Sequence, residues 1–190
     1  DEYLIRSLND QGAEIHAWGV GTKLVTAYDE PALGGVYKLT SVRRAGGKWE
    51  HKLKLSEQIT KISIPGLHQV YRYTEKTGQF MADAILELGE NPADVSRIFD
   101  PNELHHTKTL HGYGEAIPLL RPVVRGGEAV YAPPPLQAIR ERVREQLGHL
   151  HPSHQRFENP HVYPVGISPN LQAMRETRIQ ALRNHAAVGE

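Results

Sequence analysis

The spacing of apolar residues changes along the chain, and each spacing predicts an element. Leu4, Ile5 and Leu8 recur at helical intervals and Gly12 follows them, so the chain opens on a short amphipathic helix stopping at Gly12, with residue 1 already inside it. Residues 14–18 read as a short strand running into a glycine turn, and "GTKLVTAY" as a short helix or a loop. The period then becomes two: Val36, Tyr37, Leu39 and Val42 form one strand, Ala45-Gly46-Gly47 is a hairpin tip, and Trp49, Leu53 and Leu55 fall in a second strand. "SIPGLHQVYRY" and "GQFMADAILEL" predict another strand pair, joined by residues 74–78. Residues 103–131 are strand-like pieces broken by turns, ended by Pro133-Pro134-Pro135.

"PLQAIRERVREQLG" is the clearest helix. Leu136, Ile139, Val143 and Leu147 mark one face for burial, Arg140, Glu141, Arg142, Arg144 and Glu145 a solvated one, proline precedes it and Gly148 follows. After a His- and Pro-rich connector, Ser168-Pro169 caps a last helix with Leu171, Met174, Ile179 and Leu182 on its buried side. Trp18 and Trp49 read as core. The fold class is α/β: a βα piece, a mostly antiparallel β block, then two helices, which is not a self-contained doubly wound fold.

Charge and composition narrow the function. The 190 residues carry 22 Lys plus Arg against 22 Asp plus Glu, a formal net charge of zero. Bulk binding of nucleic acid or an anionic membrane needs a basic excess, so neither is expected, while a small local anion site remains open. With no cysteine there is no disulfide, thiolate metal site or thiol nucleophile. No apolar run approaches a membrane span, and the acidic start "DEYLIRSLND" does not read as a signal peptide. Lacking Met, it reads as a chain that begins mid-protein.

The candidate chemistry lies in two glycine clusters. Gly19-Val20-Gly21-Thr22 follows an expected strand and precedes an expected helix turn. Glycine lets a ligand approach the backbone, free N–H groups there attract an anion, and the Thr22 hydroxyl adds a donor and can act as N-cap. A merely tight turn is the alternative. The run is neither a GxxxxGK[ST] loop nor a GxGxxG loop. Gly34 and Gly35 sit at the mouth of the next expected strand, with Lys38 three residues beyond Gly35, as a phosphate partner or an ordinary solvated lysine. His149, His151 and His154 read as a solvated connector rather than a metal site, as do His105, His106 and His111. Arg72 reads as a structural ion pair rather than a phosphate contact.

Taken together, "GVGTKLVTAYDEPALGGVYKL", "LKLSEQITKISIPGLHQVYR" and "PPPLQAIRERVREQL" followed by "NPHVYPVGIS" resemble the nicotinate phosphoribosyltransferase family, over residues 1 to about 183. His68 departs from that pattern, which often has lysine there. The resemblance implies an enzyme that joins nicotinate to phosphoribosyl pyrophosphate, giving nicotinate mononucleotide and pyrophosphate with ATP hydrolysis, in NAD biosynthesis. It implies Mg2+ and ATP as cofactors, a cytoplasmic homodimer, and a fold in which residues 1–40 end an irregular (β/α) barrel and residues 41–190 belong to a second α/β domain. It places the 5′-phosphate of the phosphoribosyl group on Gly19, Val20, Gly21 and Thr22, bordered by Gly34, Gly35 and Lys38. The catalytic residues are expected upstream, in an N-terminal portion that this chain lacks. The alternatives are a non-catalytic phosphate-binding or oligomerisation module, and a related nicotinamide or quinolinate phosphoribosyltransferase.

Overall fold

In the computed structural model, which describes residues 1–32, 35–103 and 105–188, the chain divides into two compact units, residues 1–38 and 39–190. The described residues of the first unit form two helices. In α1 (Glu2–Asp10) the Asp1 carboxylate accepts from the Leu4 N–H at 2.9 Å, so residue 1 caps the helix rather than lying inside it. Gly12 stops it, donating to the Asn9 carbonyl, as the spacing of Leu4, Ile5 and Leu8 predicts. The expected strand at 14–18 is irregular chain, because a strand exists only through a paired neighbour and this unit contains no strand among the described residues. The helix turn forms as α2 (Thr22–Val25). Its N-cap is Gly21; Thr22 is the first helical residue, so its hydroxyl is past the point from which it could cap.

The second unit begins with a hairpin of β1 (Ser41–Arg43) and β2 (Trp49–His51), turning at 45–47 as expected. Both strands are shorter than the alternation suggested, and Val36, Tyr37 and Leu39 precede β1 as exposed irregular chain. Trp18 and Trp49 are exposed instead of core, Trp49 lying under the Arg43 guanidinium at 4.9 Å.

A six-stranded sheet carries the unit. The predicted strand pair is its centre: β3 (His68–Thr74) and β4 (Phe80–Glu87) run antiparallel from His68 opposite Glu87 to Thr74 opposite Phe80. Beyond them come β5 (Arg97–Phe99), β6 (Thr107–Thr109) and β7 (Ala116–Pro118), and a separate small ribbon of β8 (Val124–Arg125) and β9 (Glu128–Ala129). Helix α3 (Leu136–Gly148) follows, then β10 (Val165–Ile167) and α4 (Pro169–Val188). The strand order is β6-β5-β10-β4-β3-β7. All pairings are antiparallel except β10 with β4. Strand β10 therefore slots between β4 and β5, which neighbour each other along the chain. Gly166 permits this: a Cβ there would sit 2.7 Å from the Phe99 carbonyl oxygen and 3.0 Å from the Ile98 Cβ.

The core lies on the face that period two assigns to Ala82, Ala84 and Leu86 of β4, joined by Tyr73, Val95, Ile98 and Leu110. Helix α4 is capped as predicted: the Ser168 hydroxyl accepts from the Leu171 N–H at 3.2 Å and donates to Glu90 at 2.8 Å. Leu171 is buried and Met174 and Ile179 are half-buried, but Leu182 is exposed. The larger difference is α3. Its expected buried face is open, with Leu136, Ile139, Val143 and Leu147 all exposed. The helix borders a cavity of about 510 Å³ against Arg72, Phe80 and Tyr163 instead of closing onto the sheet. Amphipathic spacing shows that a helix has an apolar face, not that its own chain covers it.

Candidate functional site

The loop at residues 19–22 is defined by what it lacks. Among the described residues, the backbone N–H groups of Gly19, Val20, Gly21, Thr22 and Lys23 have no hydrogen-bond acceptor, while the Gly21 carbonyl accepts from both Leu24 and Val25 at 3.1 Å. Five successive free donors on exposed or half-exposed backbone form a concentration of positive partial charge. Gly19 and Gly21 have no atom within 4 Å of where a Cβ would stand. Packing within the chain therefore does not require glycine there, and the space above the donors is open. With only four residues, α2 adds little dipole; the chemistry available is hydrogen bonding to an anion by main-chain amides, with the free Thr22 hydroxyl beside them.

Lys23 was not singled out by the sequence reading. Its N–H extends the donor run, but its ammonium is held by the Asp1 carboxylate at 2.8 Å and lies 4.9 Å from the Tyr28 ring centroid. Of the second cluster, Gly34 lies outside the described residues. Gly35 is exposed and Lys38 half-buried, both on irregular chain rather than in the strand expected there.

In the second unit, the "IPGLHQVYR" segment is built around a carboxylate. Gly66 has φ +112°, and a Cβ there would collide with the Glu87 carboxylate, so the turn needs glycine on two counts. Glu87 Oε1 accepts from the Leu67 N–H at 3.2 Å. His51 Nε2 stands 3.9 Å from the same oxygen, and His51 Nδ1 is 2.9 Å from the Ser41 hydroxyl. His68, at the departure from the family pattern, donates from Nε2 to the Pro65 carbonyl at 3.0 Å and braces the same turn.

Arg72 forms the structural ion pair expected of it. Its Nε and one terminal nitrogen grip the two Asp83 oxygens at 2.9 and 2.8 Å, and its other terminal nitrogen donates to Gln146 of α3 at 3.0 Å. The guanidinium stacks 4.3 Å from the Phe80 ring centroid. Tyr163 donates its hydroxyl to Asp83 at 3.0 Å. Burial, then the Asp83 charge, push the Tyr163 phenol above the usual tyrosine range, and the bond to Asp83 pushes Arg72 up. Sequence reasoning missed Asp83, Gln146 and Tyr163. The available signal was a lone carboxylate inside the apolar run "FMADAIL", which must be paired to be buried. Among the described residues no three His, Asp or Glu side chains are placed to hold a metal ion. No helix of the described residues is long and apolar enough to cross a membrane.

Comparison with known proteins places these features. The family model described as nicotinate phosphoribosyltransferase C-terminal domain matches residues 67–175, from the Glu87-bound turn to the first turns of α4. The nicotinate phosphoribosyltransferase of Bacillus subtilis is 33% identical over 187 residues, 97% of this chain and 38% of that protein. Nicotinate phosphoribosyltransferase 2 of Arabidopsis thaliana is 36% identical over 175 residues, 90% of this chain and 30% of that protein. The chain thus spans between 30 and 38% of the length of these two relatives. The crystal structure of human nicotinic acid phosphoribosyltransferase shares the fold, with a TM-score of 0.56 at 23% identity, over 70% of this chain and 27% of that one. With its six-stranded sheet, α3 and the start of α4 inside the matched segment, this chain belongs to the nicotinate phosphoribosyltransferase family, as a C-terminal portion.

Proposed function

We propose that the protein to which this chain contributes joins nicotinate to phosphoribosyl pyrophosphate, releasing nicotinate mononucleotide and pyrophosphate with ATP hydrolysis, as a homodimer, and that residues 19–22 hold the 5′-phosphate. The observation that carries the site is the row of five unpartnered N–H groups beneath two glycines with open space where a side chain would be. Displacing pyrophosphate from an anomeric carbon builds positive charge on the sugar and negative charge on the leaving group. Fixing the phosphate at the far end of the ribose orients that carbon and asks nothing of a nucleophilic side chain. Gly35 and Lys38 border the phosphate in this reading, with Gly34 beside them. The family resemblance brings Mg2+ and ATP into this reading as cofactors of the complete enzyme. A product assay on the chain with and without an upstream portion tests this: turnover of the chain alone at the full rate would overturn the division of labour. In the complete enzyme, Gly21→Val is expected to raise the KM for phosphoribosyl pyrophosphate by roughly tenfold or more, because a branched side chain occupies the anion's space. An unchanged KM in a folded variant would place the phosphate elsewhere.

A further inference from the structure

The connector between α3 and β10 is organised around three imidazoles. His151 caps a short turn (Pro152–His154), its Nδ1 accepting from the Ser153 N–H at 3.1 Å. An accepting Nδ1 leaves the proton of the neutral ring on Nε2, so His151 is a donor at its outer edge. His154 has the opposite arrangement. Its Nδ1 is 2.8 Å from the His161 carbonyl, which only accepts, so Nδ1 carries the proton and Nε2 the lone pair. The His154 ring stands edge-on to His151 at 6.3 Å, His161 at 6.4 Å and Tyr163 at 5.6 Å. The His161 N–H donates to the Ser153 carbonyl at 2.9 Å and ties the two segments together. All three imidazoles line one cavity of about 480 Å³ with Lys108 of β6, Ser153 and Glu75. The Lys108 ammonium has no carboxylate partner among the described residues.

These side chains are not placed to share a metal ion. Three imidazoles and the Lys108 ammonium around one cavity, against a single carboxylate, suit an anion better than a cation. We propose that this cavity binds an oxyanion of the phosphate-ester class, and that a proton on His154 Nε2 completes the site. With Nε2 unprotonated the ring brings a lone pair to the cavity lining; once protonated it becomes a charged donor. The charged and titratable groups around it are Lys108, the other two imidazoles, Glu75 in the β3–β4 turn, Arg156, whose Nε donates to the Ser153 carbonyl at 3.3 Å, and Tyr163, whose hydroxyl is committed to Asp83. Glu75 is the one carboxylate lining the cavity among the described residues, and Asp83 is neutralised by Arg72. Imidazole is the side chain whose charge changes between pH 5 and 8, so the site strengthens as pH falls through that range. It is independent of the loop at 19–22.

The test uses sulfate, which stays a dianion from pH 6 to 8, titrated into the full 190-residue chain while the histidine ring signals are followed by NMR. Saturable shifts are expected on His151, His154 and His161, but not on His16, His68 or His105, with affinity about tenfold tighter at pH 6 than at pH 8. His154→Gln removes the pH difference. Lys108→Met, on an exposed strand, weakens binding at both pH values and keeps the difference, so it decides the matter if His154→Gln does not fold. Equal affinity at the two pH values, shifts spread over all histidines, or no saturation overturns the proposal. Loss of these shifts in Gly21→Val would mean that sulfate reads the glycine loop, and overturns it equally.

Discussion

The two units of this chain solve opposite problems. Residues 39–190 bury a core around β4 and give partners to the carboxylates beside it: Asp83 to Arg72 and Tyr163, one oxygen of Glu87 to the Leu67 amide. Among the described residues of 1–38 none is fully buried, Leu4, Leu24, Val25 and Tyr28 are exposed, and five successive backbone donors are unpartnered. Stability and ligand chemistry are thus separated along the chain. The unit whose strands pair their backbone has little left to offer a ligand from it, and the unit with free amides has little holding it together.

Hydrogen exchange would break this comparison most directly. Amides of β3 and β4 are expected to exchange roughly a thousandfold more slowly than those of residues 19–23, since the former open only with the sheet. Comparable rates would mean that the first unit is as cooperative as the second. Substitution sharpens the contrast. Asp83→Ala leaves the half-buried Arg72 guanidinium without its carboxylate and is expected to destabilise the second unit by about 1–3 kcal/mol in urea unfolding. Gly21→Ala, with open space at its Cβ, should change stability by less than about 0.5 kcal/mol. A third experiment reads the phenols. Burial holds Tyr73 and Tyr163 above the ordinary tyrosine range, so the folded chain keeps protons that the unfolded chain begins to lose near pH 10, at about the model-peptide value. Stability is therefore full below that pH and falls as pH rises beyond it. Tyr163→Phe should flatten the fall, measured as unfolding midpoint against pH. A modest effect, about 1 kcal/mol, is expected from Ser168→Ala, for losing the α4 cap.

How much the sequence revealed follows the same division. Where period two ran for seven or eight residues, as in β3 and β4, the alternation located strands, partner and turn together. The α4 cap was legible in Ser168-Pro169 for a similar reason, since the signal and the group it satisfies are three residues apart. Elements that depend on distant neighbours were not legible. Residues 14–18 have strand composition without a ladder to join, and α3 has an apolar face that this chain leaves uncovered. The Arg72–Asp83–Tyr163–Gln146 network joins residues up to 80 apart, so only the oddity of a carboxylate in an apolar strand announced it. The glycine loop could be read as open backbone, but not which of its amides would be left without acceptors.

The placement of β10 sets a schedule. Strands β4 and β5 are made first, yet the position between them stays vacant until residues 165–167 arrive, 66 residues after β5 ends at Phe99. During synthesis the half-built sheet presents two unsatisfied edges, and no folded second unit exists until nearly the whole chain has emerged. A chain cut anywhere before β10 should not yield a smaller version of this fold. It should yield open strands that seek a partner in another molecule.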